Sequence, residues 1–266
     1  MVYTQMCAYI KGGKMMKKLL KMMLASAMAL TLAACGSGDS SSDEEKTYII
    51  ATDKTYPPFE MEDENGDLVG IDMDLIRAIA DDQGFEIEIR SLGFDAACTA
   101  LESGEADAVI AGMTIKPERE EKYDFSDPYY ETGVSMGVTK DSGITSYEDL
   151  KGKTVVAKTS TTGLSFAESI KDKYGFNLEV VEESTFMFEK VKSGEAVACF
   201  EDTPVLKYMI STGELDFDTP CGKENPANYG FAVLKGENAT LLKKFNKGLK
   251  KLKENGEYDK ILDKYE

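Results

Sequence analysis

The chain has 266 residues, with 31 Lys and Arg against 48 Asp and Glu, no His, no Trp and five Cys. The lack of His excludes Ser-His and Cys-His catalytic pairs, imidazole metal sites and imidazole pH switches, and a net charge of −17 argues against nucleic acid as a partner. With 42% hydrophobic and 30% charged residues, the composition is globular and the length suits one large domain or two modest ones.

Residues 1–34 carry five Lys and no acidic residue, which leaves the remainder with a net charge of −22. Lys17, Lys18 and Lys21 precede an apolar run of thirteen residues, Met22 to Ala34. A spanning helix needs about 20 residues, so the run predicts a signal peptide instead. It ends Leu32-Ala33-Ala34-Cys35-Gly36, which is similar to a bacterial lipobox and predicts lipidation of Cys35. Gly36 to Lys46 has no large apolar residue, so 35–46 reads as a lipidated Cys and a flexible tether. Lys11-Gly12-Gly13-Lys14 is what a purine-rich ribosome-binding site would encode, which places the expected start at Met15 or Met16.

Tyr48 to Ala51 is a short apolar run. After Gly70, the residues Met73, Leu75, Ile76, Ile79 and Ala80 have helical spacing, ending at Gly84; Phe85, Ile87 and Ile89 alternate with charge, as a strand does. A helix is expected over 95–103, ending at Gly104, then a buried strand over 108–111. Ser146 with Asp149 forms a capping box, and Val155-Val156-Ala157 is a further strand. From Ala239 to Tyr265 two helices are expected, broken at Asn255-Gly256, with Leu241, Leu242, Phe245, Leu249 and Leu252 on one face. This alternation predicts an α/β architecture. Gly152-Lys153-Thr154 is no phosphate loop, because Tyr147 stands where that motif needs Gly.

Ser103 to Gly112 is echoed by Ser193 to Asp202: in each, a helix stops on Gly and a strand follows, so positions 112 and 202 are equivalent strand ends. Ligands of open α/β sheets sit beyond such carboxyl ends, and two facing lobes would aim both positions into one cleft. Beyond Cys7 and Cys35, the cysteines are Cys98, Cys199 and Cys221, with no C-x-x-C spacing. They are either buried free thiols or include a Cys199–Cys221 disulfide. No metal site and no cofactor are expected.

Several stretches resemble the polar amino acid family of bacterial extracellular solute-binding proteins, family 3. They are Ala51 to Glu60, Gly70 to Leu75, Ala111 to Thr114 with Pro117-Glu118-Arg119, Asp124 to Tyr130, Asp202-Thr203-Pro204 and Glu254 to Tyr258, in order over 47–266. Gln83 departs, standing where an apolar or small residue is usual. The resemblance implies a two-lobe periplasmic-binding-protein-like fold of type II. Lobe 1 would comprise 47–130 and 229–266 and lobe 2 would comprise 134–226, with hinges near 131–133 and 225–228.

For a free amino acid, the resemblance implies Arg119 as the bidentate carboxylate donor, helped by Thr161 and Thr162 at a helix start. Asp202 would take the α-ammonium with Gly112, Met113 and Thr114, Tyr56 and Phe94 would sandwich the side chain, and Asp53 and Glu201 would meet its polar end. Without the resemblance, Arg119 reads as a surface ion pair and Asp202 as a helix N-cap. The implied protein is a monomeric lipoprotein outside the cytoplasm that binds a polar amino acid, glutamine or a similar neutral one first and basic ones next. It would hand this ligand to the permease of an ABC importer. The alternatives are a cyclohexadienyl-dehydratase-like enzyme on the same fold, with Glu201 or Asp53 as general acid, and a ligand-sensing module.

Overall fold

The computed structural model describes residues 46–265; the expected signal peptide, Cys35 and the tether up to residue 45 lie outside them. The chain runs β1 (Tyr48–Thr52), β2 (Met61–Glu62), β3 (Leu68–Val69), α1 (Ile71–Gln83), β4 (Ile87–Ser91), α2 (Phe94–Ser103), β5 (Ala108–Val109), α3 (Pro117–Glu120) and β6 (Tyr123–Phe125). It crosses through β7 (Tyr130–Thr139) to β8 (Thr154–Lys158), α4 (Thr162–Tyr174), β9 (Asn177–Val181), α5 (Ser184–Lys192), β10 (Ala198–Asp202), α6 (Thr203–Ser211) and β11 (Phe217–Asp218). It returns along β12 (Lys223–Tyr229) to β13 (Ala232–Leu234), α7 (Ala239–Asn255) and α8 (Glu257–Asp263).

Two large sheets result, one per lobe, beside a small two-stranded sheet of β2 and β3. The first has the order β4-β1-β5-β13-β6, with β1 parallel to β4 and β5 and β13 antiparallel to its neighbours. The second has the order β11-β7-β10-β8-β9, with β12 also paired to β7. The expected hinge segments prove to be hydrogen-bonded to each other: Glu131 pairs Asn228 and Thr132 pairs Ala227, with a register shift between Glu224 and Ala227.

The helical periodicity has the expected consequence. Helix α1 buries Met73, Leu75, Ile76, Ile79 and Ala80, and Gly84 closes it in the left-handed conformation. Helix α7 buries Leu241, Phe245, Leu249 and Leu252, whereas Leu242 is only partly covered. Phe245 stacks on Phe231 at 4.3 Å and 6°, and each such buried side chain contributes roughly 1.5–3 kcal/mol. The Ser146–Asp149 capping box forms, the Ser146 N–H donating to Asp149 Oδ2 at 3.0 Å. Cys98, Cys199 and Cys221 are free thiols. Among the described residues, no helix is long and apolar enough to cross a membrane.

Candidate functional site

A cavity of about 20 Å³ lies between the lobes, far below the roughly 300–1,000 Å³ of small-molecule sites. Every wall follows the carboxyl end of a strand, as the echo of 112 and 202 predicts. Asp53 and Tyr56 come from the loop after β1, Phe94 from the start of α2, Ala111, Gly112 and Thr114 from the loop after β5, and Arg119 from α3. Lobe 2 contributes Thr161 and Thr162 at the start of α4 and Asp202 at the end of β10.

One corner is cationic. Arg119 is buried, its guanidinium donating from Nη1 to the Thr114 carbonyl and from Nη2 to the Ser160 carbonyl, both at 2.9 Å. Its Cζ sits 5.0 Å from the centre of the Phe94 ring. Burial lowers the Arg119 pKa, yet arginine keeps its charge in proteins. Beside it, the start of α4 lines the cavity through Thr161 and Thr162, and a helix N-terminus carries unsatisfied N–H groups and the positive end of the dipole. Thr161 caps it, accepting from the Leu164 N–H at 3.2 Å, and the buried Thr162 Oγ1 has no partner. Gly163 lets the helix approach β10, since a Cβ there would lie 2.4 Å from the Phe200 carbonyl oxygen. Together these donors make a corner built for an anion.

The other corner is anionic. Asp202 stands at the N-cap position of α6 but makes no side-chain cap bond; its Oδ2 accepts the Tyr229 hydroxyl at 2.6 Å instead. Burial raises its pKa, while that hydroxyl, the Tyr56 hydroxyl and the Arg119 charge pull the other way. Gly112, beside it, has φ +51°, and a Cβ there would lie 2.5 Å from Tyr56 Cε1. Only glycine lets the Tyr56 ring and this backbone share the wall.

At the far end, Asp53 forms an ion pair with Lys158, the last residue of β8, and the two side chains are 1% and 2% exposed. Asp53 Oδ1 also accepts the Lys54 N–H at 2.8 Å. Sequence reasoning missed Lys158. The available signal was a lysine closing the apolar run Val155-Val156-Ala157, three residues before a helix start that faces the cleft.

Two expected site residues do not line the cavity. Met113, between Gly112 and Thr114, is instead fully buried in the lobe 1 core. Glu201 lies behind the wall. Its Oε1 accepts the Asp202 N–H at 2.8 Å, its Oε2 accepts the Ser184 hydroxyl at 3.2 Å, and the Tyr56 hydroxyl reaches it at 3.4 Å. Burial and the Asp202 charge push its pKa up to about 7. Of the two acids a dehydratase-like reading would use, Glu201 is thus screened from the cavity, whereas Asp53 lines it. Among the described residues, no group of His, Cys, Asp and Glu is placed to hold a metal ion.

Further contacts join the lobes around the rim. Lys116 Nζ meets Ser165 Oγ at 3.2 Å, Ser160 Oγ donates to Asp95 Oδ1 at 2.6 Å, and Thr55 Oγ1 and Lys54 Nζ reach Glu183 at 3.3 and 3.6 Å. The lobes are closed on the cavity.

The sequence model described as bacterial extracellular solute-binding proteins, family 3, matches residues 48–266. Over 253 residues the chain is 36% identical to the arginine-binding extracellular protein ArtP of Bacillus subtilis (strain 168), covering 94% of this chain and 98% of that protein. A solved structure of an ancestral arginine-binding protein bound to arginine is 40% identical with a TM-score of 0.76, covering 82% of this chain and 97% of that one. The structure of an ancestral arginine-binding protein bound to glutamine is 39% identical with a TM-score of 0.75 and the same coverage. The two-sheet α/β architecture is the type II periplasmic-binding-protein fold, and the chain belongs to the bacterial extracellular solute-binding proteins, family 3.

Proposed function

We propose that this protein captures a free polar amino acid, glutamine first among them, by closing its lobes, and delivers it to the permease of an ABC importer while anchored outside the cytoplasm through a lipid on Cys35. One observation carries the ligand class: an arginine with a helix N-terminus and a buried aspartate converge on one small cavity. That pair of corners matches an α-carboxylate and an α-ammonium. Asp202 gives an ammonium a partner that a keto or hydroxy acid does not need. Closure draws its free energy from a ligand that touches both lobes at once.

The side-chain preference rests on the Asp53–Lys158 pair. A neutral amide that inserts into this pair would donate its N–H groups to Asp53 and accept from Lys158 on its oxygen, leaving both charges partnered. A guanidinium or ammonium would compete with Lys158 for the same carboxylate. The second reading, a basic amino acid, is favoured by the arginine-binding relatives and requires Lys158 to swing away.

The test is a thermal-shift panel of the twenty amino acids, ornithine and cystine on protein unfolded and refolded to strip bound ligand. At about 100 times its Kd, a ligand adds roughly 2.7 kcal/mol of stability. Glutamine giving the largest shift supports the first reading, and arginine or lysine the second. No shift with any amino acid overturns both.

A further inference from the structure

Behind Gly112, away from the cavity, two carboxyl groups are fully buried: Glu60, in the loop between β1 and β2, and Asp72, in the first turn of α1. Asp72 Oδ2 accepts the Gly112 N–H at 2.7 Å and the Tyr129 hydroxyl at 2.8 Å. Asp72 Oδ1 and both oxygens of Glu60 are buried, and no N–H or hydroxyl donor reaches them. Leaving acceptors unsatisfied in an interior is costly. Their segments are tied together by the backbone, the Ile71 N–H donating to the Pro58 carbonyl at 2.9 Å and the Asp72 N–H to the Phe59 carbonyl at 3.0 Å, and two adjacent buried carboxyl groups can bond to one another only when one keeps its proton.

The surroundings decide which one does. Asp72 has two donors for its charge, whereas Glu60 has none. The charged and titratable groups facing Glu60 are Asp72, Asp53, Lys158 and Tyr129, and the one cation among them is already paired with Asp53. Burial, then the charges of Asp72 and Asp53, hold the Glu60 carboxyl well above the ordinary carboxylate range.

We propose that Glu60 and Asp72 form an acid–carboxylate pair holding a single proton, in which neutral Glu60 donates to Asp72 Oδ1 and Asp72 pins the Gly112 backbone that walls the cavity. Glu60 and Asp72 are therefore positioning residues. Gly112 sits at φ +51° against the Tyr56 ring, a conformation that the Asp72 bond holds from behind. The consequence for the ligand rests on the amino acid reading above: the pinned peptide keeps the Gly112 carbonyl on the α-ammonium.

Two ligand-free measurements test the pair. The infrared difference between wild type and E60Q at neutral pH should show the carbonyl stretch of a protonated carboxylic acid that E60Q has lost. The NMR amide resonance of Gly112 should be shifted downfield and slow to exchange in the wild type and in E60Q, where the Gln amide N–H replaces the acid O–H, and should lose both properties in D72A. Glutamine binding adds a third measurement, with E60Q expected within about threefold of the wild type and D72A about tenfold or more weaker. A difference spectrum without that acid band, or a Gly112 amide unaffected by D72A, would overturn the pair. If D72A fails to fold, the infrared band and the Gly112 resonance of E60Q still decide. Wild-type protein that ignores glutamine would count against the proposed function, while the ligand-free measurements would still judge the pair.

Discussion

Lys158 of lobe 2 and Asp53 of lobe 1 meet across the cleft as an ion pair with both side chains buried. Their positions, 105 residues apart, come together only when the lobes close. In the closed form the pair neutralises the side-chain end of the cavity. Removing one member of a buried pair leaves an uncompensated charge, at a cost of about 3–5 kcal/mol.

A ligand able to supply the missing charge should recover that cost. Lys158→Met is therefore expected to weaken glutamine by about tenfold or more and to admit arginine, whose guanidinium takes the place of the lysine beside Asp53. Asp53→Asn should disturb selectivity more than carboxylate binding. Isothermal titration of both variants with glutamine and arginine checks this. An unchanged preference in Lys158→Met would remove Lys158 from the specificity argument.

Arg119 is the one guanidinium in the cavity wall. Arg119→Ala should weaken every amino acid by about 100-fold or more, since truncating a buried charge-paired group costs about 2–5 kcal/mol. Arg119→Lys should recover only part, because an ammonium lacks the planar fork. Retained tight binding in Arg119→Ala, read by titration calorimetry, would overturn the carboxylate corner.

Stability should depend on pH through the buried carboxyls. Burial raises Glu201 to about 7, so the folded chain holds its proton more tightly than the unfolded chain does. That contribution is complete below the unfolded carboxylate value of about 4.3 and is lost as pH rises through about 7, at up to about 1.4 kcal/mol per pH unit per group. Glu201→Gln, which cannot ionise, should flatten its share of the slope. Urea midpoints measured across that pH window test this, and an unchanged slope would show that Glu201 does not hold the proton.

Gly112→Ala adds a methyl 2.5 Å from the Tyr56 ring at a left-handed φ. It should cost about 1–3 kcal/mol in stability and should weaken binding as Tyr56 is displaced. Thermal melts with and without glutamine separate the two effects.

Much of this architecture was legible in the sequence. The periodicity of Met73 to Ala80 and of Leu241 to Leu252 marked helices α1 and α7, because a backbone of 3.6 residues per turn sorts apolar side chains locally. The repeated helix–Gly–strand pattern placed Gly112 and Asp202 at strand ends, and both line the cavity. Met113 and Glu201 were drawn into the expected site by their neighbours in sequence, but Met113 fills the lobe 1 core and Glu201 lies behind Asp202. Lys158 was passed over because its partner lies in the other lobe.

The sequence by itself determined the alternating elements, the glycines that end the helices and the types of charge available for a ligand. Those properties follow from backbone geometry and side-chain chemistry over a few residues. Only the tertiary structure decided which charges meet: Lys158 with Asp53, Asp202 with Tyr229, Asp72 with Gly112 and Glu60. Pairing and proton occupancy depend on desolvation between distant segments, and that environment exists only once the chain has folded and the lobes have closed.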